Sequence, residues 1–128
     1  MTTVADLMTL HADRVPVGAT LGEAARRMVE ARISSVIVVD RDEVVGIVTE
    51  RDMLHAMRLH EDPALPVSSA MTSPVHTVQA DLDFRDAFRT AARLGIRHLV
   101  VCDPHNHPIG VVTETDFRRH LGLYFFRQ

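Results

Sequence analysis

The residues in this chain best suited to chemistry are a threonine and an aspartate set three apart. The pair occurs twice, as Thr49-Glu50-Arg51-Asp52 and Thr113-Glu114-Thr115-Asp116. The first follows a short aliphatic strand-like run, Val44–Val48, and precedes Met53-Leu54. Thr-x-x-Asp in that setting is the pattern of a capping box, in which hydroxyl and carboxylate satisfy free N–H groups at a helix start. A strand that runs straight into a helix start is also a good phosphate or nucleotide site, because free N–H groups and the helix dipole favour an anion. A nearby carboxylate can accept hydrogen bonds from a ribose diol. Local pattern leaves two readings open: four capping residues, or two nucleotide-type sites built on the caps.

The elements that must position these pairs are themselves repeated. Gly46-Ile47-Val48-Thr49-Glu50-Arg51-Asp52 returns 64 residues later as Gly110-Val111-Val112-Thr113-Glu114-Thr115-Asp116, with five of seven positions identical. Upstream, at an offset of 63, Val4–Thr9 falls on Val67–Thr72, Val15 on Val78, Ala24 on Ala87, Ile33 on Ile96 and Asp40 on Asp103. The turn after Asp103 is one residue longer, which moves the offset to 64. One register held over most of each half marks a duplication.

Each copy reads β-α-β-β-α. A Met-Thr segment leads to an extended piece around Val15-Pro16-Val17 or Val75–Val78. A helix follows, opened by Thr20 with Glu23 in the first copy and by Asp83 in the second. Its apolar face is Ala24, Ala25, Met28 and Val29, or Phe84, Ala87, Phe88, Ala91 and Ala92. Gly95 stands where a helix C-cap belongs, and Arg32 takes that place in the first copy. A hairpin of Val36–Val39 with the glycine-led strand, or of Leu99–Cys102 with its counterpart, runs into a closing helix. Arg58–Ser69, with Pro63 and Pro66, reads as a linker. Neither copy covers both faces of its own sheet, so the two are expected to pack as a pseudo-twofold pair with clefts between them.

Composition narrows the function. A chain of 128 residues is one domain or a tandem of small units. The net charge of −3 argues against general nucleic-acid binding, which needs a basic field. All 14 fixed cations are arginine; arginine suits bidentate phosphate contacts, but compositional bias explains the pattern as well and is the preferred account. Cys102 is the only cysteine, which leaves no internal disulfide and no cysteine-based metal cluster, and its aliphatic setting predicts a buried, inert thiol. Met1–Arg14 has neither the basic leader nor the apolar core of a signal peptide, and no apolar run approaches membrane-spanning length. The expectation is a cytoplasmic protein without membrane or nucleic-acid partners.

The duplicated unit, its Met-Thr start and its Gly-hydrophobic-hydrophobic-Thr-x-x-Asp ending resemble a tandem pair of CBS (cystathionine beta-synthase) domains, a Bateman module. The resemblance covers Met8–His60 and Met71–Leu121. It implies an α+β fold of two packed CBS units, with domain 1 at 8–60, a linker at 61–70 and domain 2 at 71–127. It also implies a regulatory module, not an enzyme. Such a module binds AMP, ADP, ATP or S-adenosylmethionine in the clefts between the units and signals by a shape change to a partner, often as a homodimer. Carried over by position, the ribose-binding aspartate falls on Asp52 and Asp116, and the hydroxyl residue near ribose or phosphate on Thr49 and Thr113. The polar pair after the first helix falls on Arg97-His98 in the second copy and on Ser34-Ser35 in the first. Thr77 and Arg14 would help frame the base, and Ile33 and Ile96 would wall it.

The copies therefore differ. Arg97 offers a fixed cation shaped for phosphate oxygens, and His98 a second charge near neutral pH; Ser34-Ser35 offers neither, although Arg14 or Arg51 could restore some charge. The second copy's site is expected to prefer a phosphorylated nucleotide. The first is expected to be weaker, empty, or suited to an uncharged adenosine derivative. A different class of function, a ligand-free dimerisation or protein-interaction module, stands as the alternative. The apolar Leu121–Phe126 either docks on its own domain or forms a self-association surface. The eight histidines are scattered, and His105 and His107 lie in the unequal turn, so no specific metal site is expected.

Overall fold

The computed structural model describes residues 1–10, 13–60 and 62–125. In chain order the elements are α1 Val4–Leu7, β1 Thr9–Leu10, β2 Arg14–Pro16, α2 Leu21–Ala31, β3 Ser35–Asp40, β4 Glu43–Thr49 and α3 Glu50–His60. A 3-10 turn at Val67–Ser69 follows, then β5 Thr77–Gln79, α4 Phe84–Leu94, β6 His98–Cys102, β7 Pro108–Thr113 and α5 Glu114–Phe125. Each copy has the expected β-α-β-β-α order. The aliphatic runs form the strands because branched side chains pack well on a pleated, buried surface; Val36, Ile37, Val38 and Val48 are fully or nearly fully buried, as are Leu99, Val100, Val101 and Val112.

The chain divides into two compact units, and the division does not follow the order of the repeats. Residues 13–75 form one unit; the N-terminal segment joins residues 76 onward to form the other. In the first unit β2 runs parallel to β3, β3 is antiparallel to β4, and Thr72 bridges to Ile47. In the second the sheet order is β1-β7-β6-β5, with β5 parallel to β6 and Thr9 paired with Val111. Each Met-Thr segment thus lies on the hairpin of the other repeat.

The repeated glycine explains the fit. A Cβ added to Gly46 would fall 2.5 Å from the sulfur of Met71 and 3.1 Å from the carbonyl oxygen of Thr72. One added to Gly110 would fall 2.5 Å from the sulfur of Met8 and 2.9 Å from the carbonyl oxygen of Thr9. Only a residue without a side chain lets the methionine-threonine backbone come this close.

Each unit has its own core. Val15, Ala24, Met28, Val36, Val38, Val48, Ala56 and Val67 pack in the first, and Val4, Ala87, Ala91, Leu99, Val101, Val112 and Phe117 in the second. The stretch expected to link the copies also docks. Leu21 and Gly22 N–H donate to Leu65 and Pro63 oxygens, Val67 N–H donates to Ala19 oxygen at 2.7 Å, and Val67 is fully buried.

The helix faces are narrower than their sequence suggests. On α2 only Leu21, Ala24 and Met28 are buried, whereas Val29 is 77 % exposed; on α4 Ala87 and Ala91 are buried and Ala92 is exposed. A step of 100° per residue carries Val29 and Ala92, which are matched positions, off the core stripe. Phe88 is partly exposed and packs edge-on against Phe117, with ring centroids 5.5 Å apart. Thr20 and Asp83 cap as expected, accepting from Glu23 N–H at 3.1 Å and Arg85 N–H at 2.8 Å. Both helices end in a left-handed residue, Arg32 at φ 57° and Gly95 at φ 68°. The next residue then closes the turn: Ile33 N–H donates to Met28 oxygen and Ile96 N–H to Ala91 oxygen. Leu121–Phe126 is helical as far as Phe125, and its side chains from Leu123 on lie outside the described residues.

Candidate functional site

Both Thr-x-x-Asp pairs form reciprocal capping boxes where a hairpin strand turns into a helix. In the first unit Thr49 N–H donates to Asp52 Oδ2 at 2.9 Å and Asp52 N–H donates to Thr49 Oγ1 at 3.1 Å. In the second, Asp116 Oδ2 accepts from Thr113 N–H at 2.8 Å and from Thr113 Oγ1 at 3.1 Å, and Asp116 N–H donates to Thr113 Oγ1 at 3.2 Å. The capping reading is therefore correct, and it does not exhaust the residues. The contacts to each carboxylate in these boxes use Oδ2, so the cap itself does not engage Oδ1, on a side chain that is only half-buried.

Sheet register gathers the other expected residues around each cap. Ser35 pairs with Thr49, and Glu50 N–H donates to Ser34 oxygen at 3.0 Å. His98 pairs with Thr113, and Glu114 N–H donates to Arg97 oxygen at 2.9 Å. The parallel neighbours bring Arg14 beside Ile37 and Thr77 beside Val100, each two residues along the central strand from the paired Ser35 or His98. Ile33 and Ile96 are half-buried against their unit's core. The first unit thus holds Arg14, Ile33, Ser34, Ser35, Thr49 and Asp52, and the second holds Thr77, Ile96, Arg97, His98, Thr113 and Asp116. Within the polar pairs, Ser35 is buried and Ser34 exposed, while Arg97 is exposed and His98 half-buried.

Sequence reasoning did not single out Glu114. Its carboxylate lies 3.5 Å from Arg97 Nε and also receives a hydrogen bond from Arg118. A contact between residues 17 positions apart depends on the hairpin register, which no local motif encodes.

The CBS domain family model matches twice, over residues 4–59 and 67–123. The chain belongs to the CBS domain family. An uncharacterized 17.7 kDa protein of Acidianus ambivalens is 34% identical over 94% of this CBS chain and 73% of its own length. The glycine betaine/carnitine/choline transport ATP-binding protein OpuCA of Bacillus subtilis is 33% identical over 83% of the chain, which spans only 26% of that protein. Among solved structures, CBS domain protein PAE2072 from Pyrobaculum aerophilum, complexed with AMP, superposes with a TM-score of 0.83 at 26% identity, over 99% of this chain and 100% of that one. The CBS domain pair of protein MJ0100, in complex with 5-methylthioadenosine and S-adenosyl-L-methionine, has a TM-score of 0.84 at 24% identity, over 94% and 96% of the chains, and shares the fold.

Other candidate chemistry in this CBS pair is sparse. Among the described residues no group of three or more His, Cys, Asp or Glu side chains is placed to hold a metal. Cys102 is buried, and that burial pushes its thiol up from the ordinary value, which disfavours the nucleophilic thiolate. An open groove of about 540 Å³ between β2 and α2 is lined by Asp13, Glu23 and Glu30 against Arg26 and Arg27; its charges are mixed and neither Thr49 nor Asp52 reaches it. No described helix is long and apolar enough to cross a membrane.

Proposed function

We propose that this CBS pair is a regulatory sensor of an adenosine ligand and has no catalytic role of its own. The ligand would be held by the residues around the capped starts of α3 and α5. The observation that carries the reading is that the caps hold Asp52 and Asp116 through Oδ2 and do not themselves engage Oδ1. A carboxylate held through Oδ2 in a capping box at a helix start is preorganised to accept from a ribose diol. Thr113 and the neighbouring Arg97 and His98 add the groups a phosphate needs. Likeness to an AMP-bound CBS protein over the full length supports AMP, ADP or ATP for the second copy's site. Ser34 and Ser35 bring no charge to the first, which suits it to an uncharged adenosine derivative or to S-adenosylmethionine.

Thermal unfolding against AMP, ADP, ATP and S-adenosylmethionine tests this. A ligand at about 100 times its dissociation constant adds roughly 2.7 kcal/mol to the native state, which raises the midpoint by several degrees at this size. Asp116→Ala lowers the unliganded midpoint by loss of the cap; the ligand-induced increment, measured from that new baseline, should vanish. An unchanged increment removes Asp116 from the site.

A second reading, as an interaction module, is favoured by α3, where Leu54 is 71 % exposed and Met57 and Leu59 stand out with it. Both readings place this protein in a homodimer or against an effector protein, in the cytoplasm. Sedimentation of wild type and Leu54→Glu reads the homodimer directly; a monomer in both ends that part of the proposal.

A further inference from the structure

The two capped sites differ in charge in a way that their matched sequence hides. Thr49-Glu50 and Thr113-Glu114 are identical dipeptides, and the backbone fixes both glutamates equally, through Glu50 N–H to Ser34 oxygen and Glu114 N–H to Arg97 oxygen. Their side chains have different company. Glu114 sits between two guanidinium groups, 3.5 Å from Arg97 Nε and hydrogen-bonded to Arg118. At the matched positions Glu50 has Ser34 and Leu54, and no ion pair with Glu50 is found among the described residues.

From this, and resting on the nucleotide reading above, we infer that Glu114 sets phosphate selectivity in the second copy by competing with the ligand for Arg97. Without phosphate, Arg97 is held by Glu114. When phosphate arrives, Arg97 turns its fork to the ligand oxygens, a geometry that guanidinium meets with two parallel hydrogen bonds. Arg118, one turn further along α5, keeps Glu114 neutralised during the exchange. The side chains are free to exchange, since Arg97 is 63 % and Glu114 46 % exposed. The first copy has the carboxylate and neither arginine. Glu50 therefore weakens phosphate binding there, against the charge that Arg14 restores, and that site should favour a neutral or cationic adenosine derivative.

Calorimetric titration of the full chain with AMP and with adenosine, at low salt, reads this directly. Glu114→Gln removes the competitor and should raise AMP affinity about two- to fivefold, a size fitting an exposed ion pair, while adenosine affinity stays constant. Arg118→Leu copies the first repeat; it should lower AMP affinity by a similar factor, again with adenosine unchanged. In the Glu114→Gln/Arg118→Leu double variant the Arg118 effect should disappear, because Arg118 acts only through Glu114. A merely structural role would move both ligands together. An AMP-to-adenosine ratio that is unchanged or lower in Glu114→Gln overturns the competition while leaving the nucleotide site standing. Failure of wild type to bind either ligand overturns the nucleotide reading and this inference with it.

Discussion

Asp103 shows how much one carboxylate can organise. Its Oδ1 accepts N–H donors from His105 and His107, both at 2.9 Å, and so closes the longer turn in which Asn106 is left-handed at φ 68°. The His107 backbone bond, ahead of the one from His105, holds the carboxyl below its ordinary value. A group whose folded pKa is depressed stabilises the fold above its unfolded pKa, and that contribution is lost as pH falls through the folded value. Stability should therefore drop below about pH 4, and Asp103→Asn should flatten this acid limb in denaturant titrations run across pH. The flattening should be partial, since Asp83, held down by its hydrogen bond from Arg85, acts in the same direction. The capping aspartates carry a simpler cost: Asp52→Ala and Asp116→Ala should each lose about 1 kcal/mol in urea unfolding.

At the scale of elements, helix ends and strand crossings make the sharpest claims. Arg32 and Gly95 are matched positions with the same left-handed backbone, which costs a residue with a Cβ about 1–2 kcal/mol. Arg32→Gly should thus stabilise the protein by about 0.5–1 kcal/mol, and Gly95→Ala should destabilise it by about as much; a midpoint that falls in the first variant contradicts the argument. Gly110→Ala should cost about 1–3 kcal/mol, because the added methyl meets the Thr9 carbonyl oxygen at 2.9 Å and not only a movable side chain. These elements were legible in the sequence through periodicity, capping residues and turn chemistry. The Thr-Asp pairs of the site were legible for the same reason, since a capping box is a local signal. The Arg97–Glu114 ion pair was not, because it forms across a hairpin whose register is set by packing. Val29 and Ala92 were misjudged because apolar character alone does not fix the angle at which a helix meets its core.

For the whole molecule, the consequential fact is which segment joins which unit, and the duplication concealed it. Both Met-Thr segments look alike and both hairpins offer the same glycine, so either pairing satisfies the local pattern; only the connecting lengths and the packing decide. Val4 is fully buried in the unit built from the second repeat, with its N–H on Leu82 oxygen at 2.9 Å and Ala5 N–H on Ala80 oxygen at 3.2 Å. Deleting residues 1–10 should therefore expose the β7 edge and the core around Ala87. It should lower the melting midpoint and increase hydrogen exchange in β6 and β7, while β3 and β4 stay protected.

The same crossing orders events during synthesis. The unit of residues 13–75 is continuous, so it has its whole core as soon as Val67 and Thr72 have left the ribosome. The segment of residues 1–10 has no such opportunity. Thr9 waits for Val111, and Val4 for Leu82, so a segment made before the first unit finds its partners only after that unit is complete. Until then the β7 edge has no strand beside it and the N-terminal segment has no sheet to join. A second ribosome-bound copy could supply the missing strand in trans, which makes entanglement between neighbouring chains the characteristic error open to this topology.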